Sequence, residues 1–169
     1  MIEVIKQQLK NSKSAQEKIN YLRESLQIMV LKNIYDQKAF NNIAFLGGTA
    51  LRILFDINRF SEDLDFSLIN KKQYDFNKIN DNIVNFFKQN NILVETTPKT
   101  TNNVHSAFLK FPKILKELNL SIFDNQKLSI KFEIDTNPPK DWTLETMLIN
   151  KTYLFQVTSF DLSSMFATK

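Results

Sequence analysis

Cysteine is absent from this chain of 169 residues, which excludes disulfides, thiolate zinc sites and cysteine nucleophiles together. Histidine occurs once, as His105, and that leaves little room for a histidine-rich metal site or a His-based triad; a partly buried strand position is the simpler reading for it. No uninterrupted apolar run approaches the roughly 20 residues of a membrane helix, and the amino terminus carries no signal-peptide pattern. A cytoplasmic protein with no membrane partner is therefore expected. Blocks of like charge are missing too: the net charge is +4, with the basic residues scattered among Asn and Gln. Such a balance is compatible with a polyanionic partner such as RNA or a nucleotide without requiring one. With 43% apolar and 24% charged residues the chain reads as one globular domain. Its chemistry is left to carboxylates, hydroxyls and lysines.

Periodicity predicts helices over Met1 to Leu9 and over Ile19 to Ala39, where Ile19, Leu22, Leu26, Met29, Val30 and Ile34 recur at helical spacing. Ile43 to Leu46 reads as a buried strand that stops at Gly47-Gly48. Thr49 can cap a following helix that carries Leu51, Leu54 and Phe55. Leu64 to Leu68 resumes as a strand, and Asp75 to Gln89 as an amphipathic helix. Further strands are expected at Ile92 to Thr96, Ser106 to Phe111, Leu128 to Asp135, Leu144 to Ile149 and Tyr153 to Val157, with a last helix from about Phe160. Asn137-Pro138-Pro139 ends the Leu128 strand, since proline donates nothing to a ladder. The pattern is α+β or α/β-like: one domain over 1–169, with amino-terminal helices over 1–40 and a catalytic core of mixed sheet flanked by helices over 41–169.

Glycine is almost as scarce as histidine, and both glycines, Gly47 and Gly48, stand at one strand-to-helix junction. Glycine there permits positive φ and close approach of a phosphate, and the next helix offers unpaired N–H groups. An isolated Gly-Gly is more often an ordinary tight turn. One helix later comes Asp63-Leu64-Asp65-Phe66; on a strand, Asp63 and Asp65 share a face while Leu64 and Phe66 point to the core. Adjacent carboxylates repel unless a cation lies between them, and hard oxygen donors suit Mg²⁺ or Mn²⁺. A solvent-facing acidic pair is the plain alternative. In Lys131-Phe132-Glu133-Ile134-Asp135, the residues Lys131, Glu133 and Asp135 share one face. If this strand lies beside that of Asp63, Glu133 completes a three-carboxylate set able to hold two metals and activate a hydroxyl.

Phe45-Leu46-Gly47-Gly48-Thr49-Ala50-Leu51 followed by Arg59-Phe60-Ser61-Glu62-Asp63-Leu64-Asp65-Phe66 resembles the first motif of the AbiEii/AbiGii nucleotidyltransferases. These belong to the DNA-polymerase-β-like superfamily, supply the toxins of AbiE-like type IV toxin–antitoxin and phage-abortive systems, and are similar to MenT toxins. Ile130 to Ile134 resembles the family strand with alternating Lys and Glu, and Phe160-Asp161-Leu162 through Lys169 resembles the start of its fourth motif. The resemblance implies a polymerase-β-like fold and transfer of NMP from an NTP, with Mg²⁺ or Mn²⁺, to an acceptor hydroxyl such as the 3′ end of tRNA. A cognate antitoxin is the implied partner. Carried over by position, Gly47, Gly48 and Thr49 hold the triphosphate, and Asp63, Asp65 and Glu133 bind metal, with Glu133 as base. Lys169 steadies the phosphates, and Arg59 and Ser61 shape the loop in front of the metals. Arg59 reads equally as an ion-pair partner of Glu62 or Asp63. Lys131 contacts nucleotide or simply neutralises Glu133.

Members of the family continue past this lysine into a helical region with an Arg-Asp pair, whereas this chain stops at Lys169. Two readings besides a complete stand-alone enzyme follow from that expectation. One is a truncated, inactive remnant that binds nucleotide or a partner; the other is a minimal transferase working with a partner subunit.

Overall fold

A computed structural model describes residues 2–10, 12–123, 125–138 and 141–167. Helix α1 (Ile2–Leu9) packs on α2 (Ala15–Asp36). Helix α2 begins four residues before the periodicity suggests because Ser14 caps it: its Oγ accepts from the Glu17 N–H at 3.1 Å, while the Glu17 carboxylate accepts from the Lys13 N–H. It ends at Asp36 rather than Ala39, since Lys38 adopts a left-handed conformation (φ 59°) that opens a 3-10 turn at Ala39–Asn41.

Strands β1 (Ile43–Leu46), β2 (Leu64–Leu68), β3 (Glu95–Thr100), β4 (Val104–Phe111), β5 (Leu128–Asp135), β6 (Leu144–Asn150) and β7 (Leu154–Phe160) form one mixed sheet. Their order is β3-β4-β5-β2-β1-β7-β6. The central β2 runs antiparallel to β1 and parallel to β5. Leu128, Ile130, Phe132 and Ile134 of β5 are buried, while the alternate residues Ser129, Lys131, Glu133 and Asp135 are half-buried on the other face. Helix α4 (Phe76–Gln89), capped by Asp75, covers the apolar face. There Phe76 stacks on Phe132 at 5.6 Å, and Phe87 meets Phe111 edge-on at 5.0 Å. His105 of β4 lies on that covered face, half-buried and hydrogen-bonded to the Tyr74 hydroxyl at 2.9 Å. The acidic residues stand on the opposite face of β5 and β2, where Asp65, Glu133 and Asp135 are half-buried and Ser67 is buried.

Several boundaries differ from the sequence-based reading. Strand β3 lies at Glu95–Thr100 rather than Ile92 to Thr96. Ile92 and Val94 are buried where the chain leaves α4 through a left-handed Asn91 (φ 57°), and Pro98 is tolerated because β3 is an edge strand. Strand β7 extends to Phe160, so helix α6 (Leu162–Ala167) starts later than expected, with the Asp161 carboxylate accepting from the Ser164 N–H at 2.9 Å. The single turn α5 (Ile114–Glu117) and the 3-10 turn are too short to leave a periodic signal. Thr49 is not a cap. Helix α3 (Gly47–Phe55) begins at the first glycine with Leu46 in the cap position, and Thr49 is buried inside its first turn. No described helix is long and apolar enough to cross a membrane.

Candidate active site

Strand β1 delivers the chain at Leu46, opposite Asp65 on β2. Gly47 then turns it into α3 with φ +80°, and a Cβ there would lie 2.5 Å from Asp65 Oδ2. The glycine is thus required twice, by a left-handed backbone and by a carboxylate occupying the space of its missing side chain. On its other flank Asp65 pairs in register with Glu133 of the parallel β5. Strand pairing therefore sets two carboxylates side by side on the acidic face, as the sequence suggested for Glu133. Burial, then the neighbouring Asp63 and Glu133 charges, push the Asp65 carboxyl up to about 6, against a partial opposing effect of Lys131. Lys131 Nζ sits 2.5 Å from Glu133 Oε2, and that hydrogen bond holds the ammonium above its ordinary range. Neutralisation of Glu133, one of the two readings of Lys131, is the arrangement seen.

Asp63 precedes the first ladder residue of β2 and is exposed. It belongs to the loop 56–63 rather than to the strand, so alternation along β2 does not fix it as the sequence reading assumed. Its backbone carbonyl accepts a hydrogen bond from the Thr49 hydroxyl. Thr49 thereby links α3 to the acidic loop instead of presenting a free hydroxyl. Gly48 faces the same loop, with a hypothetical Cβ 2.9 Å from Ser61 Oγ.

Two clefts flank the start of α3 and share Leu51. One, of about 510 Å³, is lined by Gly47, Asp65 and Glu133 together with Ser67, Asp135, Asn137 and Met165. The other, of about 590 Å³, is lined by Gly48, Arg59, Ser61 and Asp63. Arg59 is exposed and makes no ion pair among the described residues; Glu62 pairs instead with Arg23 at 3.0 Å, so the ion-pair reading of Arg59 is not what forms. Lys169 lies outside the described residues. Ser67 and Asn137 were missed by sequence reasoning. Ser67 follows from alternation beyond Asp65, whereas nothing local marks Asn137, whose N–H bonds Asp135 Oδ1 at 2.8 Å in the turn after β5.

Among the described residues no group of three or more His, Cys, Asp and Glu side chains forms a ready-made metal cage. The donor set nonetheless suits a hard divalent cation. Mg²⁺ is commonly held by one or two carboxylates with substrate phosphates completing its shell. The raised pKa of Asp65 comes first from burial and then from the neighbouring Asp63 and Glu133 charges, and a cation would offset the latter.

Known proteins bear on this geometry in three ways. No curated protein matches the chain in sequence. JHP933 from Helicobacter pylori is similar in structure, with a TM-score of 0.59 and 19% identity over 93% of this chain and 57% of that one. A second H. pylori structure, whose assignment as a nucleotidyltransferase is itself a proposal, gives a TM-score of 0.54 and 20% identity over 86% and 55% of the two chains. At these identities the likeness concerns the fold, and the chain spans a little over half the length of either structure. The family model of the nucleotidyl transferase AbiEii toxin, type IV toxin–antitoxin system, matches residues 30–169, which include both glycines and all three carboxylates. The chain therefore belongs to the AbiEii nucleotidyl transferase toxin family.

Proposed function

We propose that the site transfers a nucleoside monophosphate from an NTP to an acceptor hydroxyl, as the toxin of a type IV pair whose cognate antitoxin is its partner. The observation that carries this reading is Asp65 wedged between Gly47 and Glu133, with the Gly48 turn and Asp63 loop on the next cleft. Asp65 and Glu133, with Asp63 from the neighbouring loop, would hold a divalent cation, which would supply charge neutralisation around the α-phosphate and the departing pyrophosphate. Gly47 and Gly48 let the phosphates approach the first amides of α3, which no side chain caps. Arg59, with no ion-pair partner among the described residues, is placed to meet phosphate oxygens in the second cleft. Glu133 accepts the proton of the attacking hydroxyl, with the Lys131 ammonium paired to its carboxylate. Lys169 retains the phosphate-steadying role that its family position implies.

Incubation with each labelled NTP, Mg²⁺ and total tRNA tests the reaction. Incorporation is expected from the unaltered protein, with a loss on the order of 10²- to 10³-fold in Asp63→Ala and Glu133→Gln. Equal incorporation in all three proteins, or none from the unaltered protein with any NTP, would overturn the reading. Nucleotide binding without incorporation would fit a binding module instead.

A tRNA acceptor is supported by what adjoins Glu133 on the acidic face. Ser106 of β4 is opposite Glu133, Phe108 is opposite Lys131, and Lys99 of β3 is opposite Ser106. Phe108 is 45% exposed on a strand whose alternate residues are buried, and Lys99 and Lys110 flank it on the same face. An exposed ring among lysines suits base stacking with phosphate contacts. Phe108→Ala is expected to raise the KM for tRNA about 5- to 100-fold, with kcat at saturating acceptor little changed. An unchanged KM would place the acceptor elsewhere.

A further inference from the structure

Regular structure does not hold Asp63. It lies outside the β2–β5 ladder, which starts at Leu64 opposite Phe132, and its loop makes no strand pairing. Three side-chain donors reach the loop backbone: Arg52 Nη1 donates to the Ile57 carbonyl at 3.3 Å at its start, and two others act at its acidic end. Thr49 of α3 donates to the Asp63 carbonyl, and Gln27 of α2 donates through Nε2 to the Ser61 carbonyl at 3.0 Å. Gln27 is 2% exposed although its side chain is polar, and it precedes the segment matched by the family model. Other contacts of this loop are weaker guides. Arg23 pairs with Glu62, but Glu62 is 70% exposed and the pair is screened by water. Tyr21 meets the Phe60 ring edge-on at 5.1 Å and the Arg52 guanidinium covers that ring at 4.4 Å, which fixes Phe60 without directing the backbone beyond it.

We infer that Gln27 is a positioning residue for the metal site: the hydrogen bond from its buried side chain to the Ser61 carbonyl sets where the Asp63 carboxylate stands relative to Asp65 and Glu133. This rests on the reading of Asp63 as a metal ligand. A buried amide has no water to replace a lost partner, so its bond is directional and persistent where a surface ion pair is not. Partners behind a ligand typically change metal affinity tenfold or more when removed, without touching the metal.

Binding of Mn²⁺ alone, followed by the electron paramagnetic resonance of the free ion, tests this in a double-mutant cycle. Asp63→Asn is expected to weaken Mn²⁺ about tenfold or more. Gln27→Met, which keeps the side-chain volume and removes the donor, is expected to weaken it about three- to tenfold, and the double variant to bind no more weakly than Asp63→Asn. A merely structural role for Gln27 would leave the two effects additive. Gln27→Glu, which keeps the shape but cannot donate when ionised, provides the same measurement should the methionine variant fold poorly. If Asp63→Asn weakens Mn²⁺ while both Gln27 variants bind like the unaltered protein, or add to Asp63→Asn, the positioning role is overturned. If Asp63→Asn itself binds Mn²⁺ unchanged, the assignment of Asp63 as a ligand fails, and the inference fails with it.

Discussion

Asp65→Asn is expected to abolish nucleotidyl transfer while raising the melting temperature of the metal-free protein. The loss of activity follows from removing the central carboxylate between Gly47 and Glu133, at a cost on the order of 10³-fold. The gain in stability follows from the cause of its raised pKa. Burial and the Asp63 and Glu133 charges lift the Asp65 carboxyl from 3.8 to about 6, so folding places an ionised group where it is disfavoured. Each unit is worth about 1.4 kcal/mol, and after discounting for the solvent that still reaches this half-buried group, about 1–2 kcal/mol remains. For a domain of this size that is roughly 2–8 °C. The cost is fully present above pH 6 and disappears as pH falls from about 6 toward 4, because the folded protein then takes up the proton more readily than the unfolded chain. The gap between variant and unaltered protein, measured in EDTA by thermal unfolding, should accordingly be widest at pH 7–8 and close near pH 4. Added Mg²⁺ should stabilise the unaltered protein and not the variant. A variant that melts below the unaltered protein at pH 7.5 in EDTA would show that Asp65 is not strained by its neighbours.

The second large effect is expected from a single methyl group. Gly47→Ala places a Cβ 2.5 Å from Asp65 Oδ2 and 3.1 Å from Asp65 Cβ, on a backbone at φ +80°. The left-handed backbone costs an L-residue about 1–2 kcal/mol, and overpacking adds about 1–2 more. Thermal unfolding should fall by roughly 4–16 °C, and transfer should be lost with it, since Asp65 can yield only by leaving its place beside Glu133. Gly48→Ala is the contrast. Its backbone φ is ordinary and its closest neighbour is the Ser61 hydroxyl at 2.9 Å, the end of a side chain that can rotate; a loss within about 1 kcal/mol is expected. Adding Asp65→Ala to Gly47→Ala should restore part of the stability and none of the activity. Equal melting temperatures for Gly47→Ala and the unaltered protein would contradict the close packing that makes Gly47 obligatory.

Much of this site is written in local chemistry. Two glycines placed together in a chain that otherwise has none, and Asp65 between the buried Leu64 and Phe66, are legible because strand alternation and glycine's freedom are properties of a few adjacent residues. The same holds for β5, where the alternation of Lys131, Glu133 and Asp135 with Phe132 and Ile134 gives the acidic and covered faces directly. Tertiary structure alone decided the rest. That β5 lies parallel to β2 with Glu133 in register with Asp65 depends on a long-range pairing that no local pattern encodes. The Asp63 loop is held by Thr49 and by Gln27, far apart in sequence, and Glu62 is taken by Arg23 rather than by the nearby Arg59. A side-chain hydrogen bond selects whichever donor the packing of helices brings within 3 Å of a carbonyl, and sequence distance does not enter that choice. The sequence thus pointed to the candidate residues, whereas the pairing of β5 with β2 and the packing of α2 and α3 around one short loop decided where they stand.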